Sequence, residues 1–179
     1  MTTSSTPVDA TADALQVLRN RTFDEIAIGD SASLERAFSP QDIHMFALQS
    51  GDVDPEPAAS SSARDTTEAI CANVLISAVL GTRLPGPGTQ YVSQSLCFLG
   101  AVRPGDRLTV QMQVTSKDTA THHVTLACTC TNQTGVAVFQ GQVEVVAPTE
   151  RMERARTALP EIHPDAQGRT GLQHLLAHV

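Results

Sequence analysis

Residues 67–80, Thr-Glu-Ala-Ile-Cys-Ala-Asn-Val-Leu-Ile-Ser-Ala-Val-Leu, followed by Gly81 and by Leu84-Pro85-Gly86-Pro87-Gly88, decide the fold. The run is apolar around nearly its whole circumference, which predicts a helix enclosed on most sides. Gly81 supplies a C-cap, and the Pro/Gly cluster turns the chain sharply into strands. Four segments carry β-branched or alternating residues: 89–98, 107–116, 122–132 and 136–146. Between them stand Arg103-Pro104-Gly105-Asp106, Ser116-Lys117-Asp118 and Asn132-Gln133-Thr134-Gly135. Turns this short between consecutive strands demand antiparallel pairing. One enclosed helix and an antiparallel meander without βαβ alternation predict an α+β architecture, a curved sheet wrapped around a central helix.

Upstream, residues 1–20 are poor in apolar side chains and read as a flexible lead, with order beginning near Arg21. Ala32 to Phe38 predicts a first strand. Ser39-Pro40-Gln41-Asp42 starts a helix, with Ser39 at the N-cap, Pro40 in the first turn and an acid placed to suit the helix dipole. Ile43, Phe46, Ala47 and Ser50 give that helix its buried face. Residues 53–66 hold three consecutive Ser and two Pro and read as an exposed loop. The expected organisation is a lead over 1–20, one domain over 21–148 and a tail over 149–179, in which only Leu172 to Leu176 has helical character.

A length of 179 residues with 41% hydrophobic content suffices for one real core. A net charge of -7, from 12 Lys and Arg against 19 acids, excludes a nucleic-acid surface and an anionic-membrane anchor. A short anionic ligand needs only a local positive site. The first residues show no charged and apolar leader, and no apolar run reaches the roughly 20 residues of a membrane span, so a cytoplasmic protein is expected. Cys71, Cys97, Cys128 and Cys130 lack Cys-x-x-Cys spacing and read as buried reduced thiols. His122 and His123 face opposite ways on a strand, and His174 and His178 have no third ligand nearby, so no metal site is expected.

Ser50-Gly51-Asp52-Val53-Asp54-Pro55 resembles the Ser-Gly-Asp-x-Asn-Pro-x-His segment of MaoC-like, (R)-specific 2-enoyl-CoA hydratases, in which the Asp and the His five residues later hold the reacting water. Residues 75–91, Ser93 to Phe98 and Val102-Arg103-Pro104-Gly105-Asp106 resemble the core of the same family. The likeness covers about residues 21–148 and is greatest to the hydratase module fused ahead of phosphate acetyl- or butyryltransferase domains. It implies a hot-dog fold, a homodimer with substrate tunnels at its interface, and acyl-CoA or acyl-carrier thioesters as ligands. Coenzyme A or an acyl carrier is then the substrate's handle, and no separate cofactor is implied.

The departures fall where chemistry would sit. Pro57 occupies the position of the motif His, and proline has neither a titratable side chain nor a backbone N–H. Glu68, Ala69 and Ile70 stand where the family has His-Gly-Met at the opening of the central helix, and the spacing from Asp52 to Ser77 is shorter than the family's. Adding water to an enoyl thioester needs a base, an acid and positive potential at the thioester oxygen. The resemblance assigns the base to Asp52 and a substrate-binding role to Ser77, at the family's helix serine; the helix N-terminus near Ala69 is the expected oxyanion donor. Glu68 reads either as an acid/base or as an ordinary first-turn acid, and Asn73 either as a pocket-lining residue or as a satisfied core amide. Three functions are candidates: a hydratase or dehydratase with an altered site, a non-catalytic domain binding an acyl thioester or a partner, and a thioesterase.

Overall fold

The computed structural model describes residues 17–51 and 61–155. Within it, Leu18–Arg154 forms one compact unit. The expected α+β hot-dog architecture is present: strand β2 (Ser31–Ala37), helices α1 (Pro40–Ser50) and α2 (Ser61–Thr82), then β3 (Gln90–Phe98), β4 (Arg107–Asp118), β5 (His123–Thr131) and β6 (Ala137–Val146). The five strands form one sheet in the order β2-β4-β5-β6-β3, with every neighbouring pair antiparallel.

Alternation set the strands. Leu108, Val110, Met112 and Val114 of β4, Val124, Leu126, Cys128 and Cys130 of β5, and Phe139, Val143 and Val145 of β6 are buried together with the α2 stripe Ala72, Leu75, Ile76, Val79 and Leu80. The α2 spacings of three and four put that stripe on one helix face. The helix packs over β2 and β4, and the chain then continues into β3 at the opposite edge of the sheet, so α2 crosses the sheet's inner surface.

Three expectations change. Helix α2 begins at Ser61, inside the segment read as a loop. Serines suit the first turn of a helix as well as a loop, and the Ala63-Arg64 that comes next favours helix. Second, α2 is not enclosed on most sides: Val74 is 48% exposed, and Ser77 and Gly81 beside it are exposed as well. Third, the ordered unit extends past 21–148. Strand β1 (Val17–Arg19) pairs with β7 (Glu153–Ala155). Asn20 is 1% exposed yet bonded at both ends of its carboxamide, its Nδ2 donating to the Glu150 carbonyl at 2.7 Å and its Oδ1 accepting from the Met152 N–H at 2.8 Å. Beside this clasp, the Arg21 N–H donates to the Pro85 carbonyl at 2.7 Å.

Helix α1 obeys its sequence signals. The Ser39 Oγ accepts from the Asp42 N–H at 3.2 Å, and Asp42 returns the bond through its carboxylate, which accepts from the Ser39 N–H at 2.9 Å. Gly51 ends the helix in the left-handed region at φ 72°, where a glycine carries no steric cost. Phe46 packs against the core, whereas Ser50, expected on the buried face, is exposed.

Gly141 lies where β6 leaves no room for a side chain against β3. A Cβ there would lie 2.0 Å from the Ser95 carbonyl oxygen of β3, so only glycine lets β3 run against β6 at this register. Gly141→Ala is expected to destabilise the protein by about 1–3 kcal/mol, read as a lowered urea midpoint. An unchanged midpoint would show that β3 is free to move away.

Burial pushes the Cys128 thiol up to about 11 and the Cys130 thiol up to about 12, the latter also through its neighbour Cys128. Both are raised above the ordinary value of 9.0, so the stability they contribute is complete below pH 9. It is lost as pH rises through 11 and 12, because the unfolded thiols ionise first. Alkaline unfolding measured by circular dichroism should show this loss, and Cys130→Val should lessen it. At neutral pH both thiols should resist alkylation until the protein is unfolded.

Candidate active site

The motif enters the structure through α1. Gly51 turns the chain off the helix end, which places the start of the Asp52 segment at the C-terminus of α1. Asp52 and Pro57 themselves lie outside the described residues.

On α2 the backbones of Glu68 and Ala69 are helical, and their side chains lie outside the described residues. Because α2 starts at Ser61, Ala69 sits about 12 Å along the helix rather than at its entrance. An N–H in a helix interior is committed to the carbonyl four residues earlier, and the free N–H groups belong to the first turn. The expectation of an oxyanion donor at a helix N-terminus near Ala69, with Glu68 as a first-turn acid, is therefore corrected: both residues lie beyond the first turn.

Asn73 and Ser77 are four residues apart and share one side of α2. Asn73 lies at the margin of the buried stripe, partly covered, and its Oδ1 is completely buried with no hydrogen-bond partner. Ser77 is exposed, next to Val74. Asn73 and Ser77, two of the four residues expected to bind substrate beside Glu68 and Ala69, thus occupy the border between the core and an uncovered strip of the helix.

Strand β3 is the second uncovered element, and sequence reasoning assigned it no role. It is a sheet edge, with β6 on one side and no strand of the described residues on the other. Tyr91, Val92 and Phe98 are each more than two-fifths exposed. Tyr91 donates its hydroxyl to Gln94 Oε1 at 2.5 Å, and desolvation raises its pKa. The missed signal was Gln90 to Phe98 itself, in which polar and aromatic residues fall on both faces, unlike the clean alternation of β4 and β5.

The sheet's outer surface carries a cleft of about 470 Å³ lined by Ser93, Ser95, Thr125, Gln142 and Glu144 among others. Its carboxylate is engaged: Glu144 pairs with His123 Nδ1 at 2.9 Å and reaches Ser93 Oγ at 3.4 Å. His122 packs edge-on against Phe23, 5.1 Å between ring centroids. Cys128 and Cys130 are buried as expected, but Cys97 is exposed on β3. Among the described residues no three His, Cys, Asp or Glu side chains are placed to hold a metal ion, and no helix is long and apolar enough to cross a membrane.

No family model matches the chain. An (R)-specific enoyl-CoA hydratase of Rhodospirillum rubrum is 40% identical over 132 residues, 70% of this chain and 91% of the relative. A 3-hydroxybutyryl-CoA dehydratase of Methylorubrum extorquens is 36% identical over 140 residues, 75% of this chain and 88% of the relative. Among solved structures, the unliganded R-hydratase of Pseudomonas aeruginosa superposes with a TM-score of 0.74 at 32% identity, over 83% of this chain and 99% of that one. With a hot-dog sheet around α2 and this likeness over more than two thirds of its length, the chain belongs to the MaoC-like (R)-specific enoyl-CoA hydratase family.

Proposed function

We propose that the protein acts on 2-enoyl- and 3-hydroxyacyl-CoA thioesters as a homodimeric hydratase or dehydratase whose turnover is reduced by an altered site. The observation that carries this reading is the pairing of a retained Asp52 with Pro57 in the place of the motif His, inside a chain 40% identical to an (R)-specific enoyl-CoA hydratase. Asp52 takes the proton from water as the base. The second positioned group is missing, and losing one such group costs on the order of 10²–10⁴ in rate. Ser77, exposed on α2, is assigned to the substrate side of the site. The thioester carrier, coenzyme A or an acyl carrier protein, is part of the substrate, and no further cofactor is assigned.

The dimer is supported by what one protomer leaves bare. The β3 edge that no strand of the described residues pairs with, its exposed Tyr91, Val92 and Phe98, and the Val74–Ser77 strip of α2 are surfaces that a second copy would cover about a two-fold axis. Sedimentation at micromolar concentration should give a dimer, and a monomer there would remove this part of the proposal.

Crotonyl-CoA hydration, measured beside the Rhodospirillum rubrum relative, is expected to be at least about 10²-fold slower, and Asp52→Asn should abolish what remains. Turnover equal to the relative's that survives Asp52→Asn would overturn the assignment. The replacement of His-Gly-Met by Glu68, Ala69 and Ile70 also favours a second reading, a domain that binds the thioester without transforming it. Binding without loss of the enoyl absorbance would select that reading, and release of free thiol would select a thioesterase instead.

A further inference from the structure

The sequence leaves Asn73 two roles, a satisfied core amide or a residue lining a ligand pocket, and the structure separates them. Its carboxamide oxygen has no hydrogen-bond partner and no access to water within the protomer. An acceptor left in that condition costs about 1–3 kcal/mol, which an aliphatic residue at the same place would not. Ala72, Ile76 and Leu80, its neighbours along the helix, are all aliphatic and all buried. Packing alone therefore gives no reason for an amide here.

We infer that Asn73 is a substrate-binding residue whose Oδ1 accepts a hydrogen bond from an N–H or O–H group of the acyl thioester. The position suits the role. Asn73 stands between the buried stripe and the uncovered strip of Val74 and Ser77 and is itself only partly covered, so a ligand lying along that strip meets the side chain, and a turn of the carboxamide brings Oδ1 out to it. The chemistry narrows the donor. A carboxamide oxygen accepts only, and the carbonyl and sulfur of a thioester, as well as a plain hydrocarbon chain, offer it no donor. Two parts of the ligand do: the amide N–H and hydroxyl groups of the pantetheine arm, shared by every such thioester, and a hydroxyl on the acyl chain. The inference rests on the acyl-thioester reading above.

Calorimetric titration of the full chain and of its Asn73→Leu and Asn73→Ala variants with butyryl-CoA and with (R)-3-hydroxybutyryl-CoA tests it without needing turnover. Ligand-free Asn73→Leu should melt at or above the wild-type Tm, since an unpaired acceptor has been removed, while affinity falls about tenfold. An equal fall for both ligands assigns the donor to the pantetheine arm, and a fall confined to the hydroxylated ligand assigns it to the acyl hydroxyl. Unchanged affinity for both ligands in a folded variant overturns the inference and leaves the acyl-thioester reading standing. A wild-type protein that binds neither ligand overturns both. Should Asn73→Leu not fold, Asn73→Ala gives the same affinity readout with less bulk.

Discussion

The burial of one stripe of α2, Ala72 through Leu80, on the inner face of the sheet is the contact on which the remaining geometry depends. Each large aliphatic side chain fully withdrawn from water there contributes about 1.5–3 kcal/mol. To bury a single stripe, the helix lies over β2 and β4, and its exit carries the chain to β3 at the far edge. The same choice leaves the opposite side of the helix, with Val74 and Ser77, facing away from the core. An apolar helix with one side bare is a poor end state for a monomer and a suitable half for an assembly.

Much of this was legible in the residues alone. Strands β2 to β6 were readable to within a residue or two, because β4 and β5 alternate cleanly and their turns contain Gly, Pro, Asn and Asp where turns need them, whereas the three-residue β1 and β7 were not. The start of α2 was not, because a run of serines reads equally as loop or helix entry and only packing further along decides. Asn20 was invisible for a different reason: a buried amide looks like any polar residue in a polar lead until its partners, at Glu150 and Met152, come from the other end of the chain. Cys97 was misjudged because thiol burial was inferred from residue type, whereas its place on an edge strand decides its exposure. Of the site, position could be read for Ser77 and Asn73, but not that one is exposed and the other holds an unpaired atom.

The residues that made the family recognisable are largely not those that make it an enzyme. Arg103-Pro104-Gly105-Asp106 is a turn in which Asp106 accepts from the Arg103 N–H at 2.8 Å and Gly105 takes φ 93°. Gly86, at φ 99°, lies so near Asn20 that a Cβ would meet its Cα at 3.0 Å. These positions are held by backbone geometry, which persists whatever the pocket does. Fold and chemistry can thus part within one chain. A reading of function from the likeness must therefore be carried residue by residue.

The Asn20 clasp has a consequence for how this module can be used. Because β1 pairs with β7 and a single carboxamide spans the join, the compact unit's first and last strands lie side by side. A unit entered and left at adjacent points is a cassette: it can be set into a surface loop of another protein with little separation imposed on that loop's two ends. It can also be opened elsewhere and closed here by a short linker, because loop closure over a small gap costs little entropy. The side chain that seals the module is thus also what makes it portable.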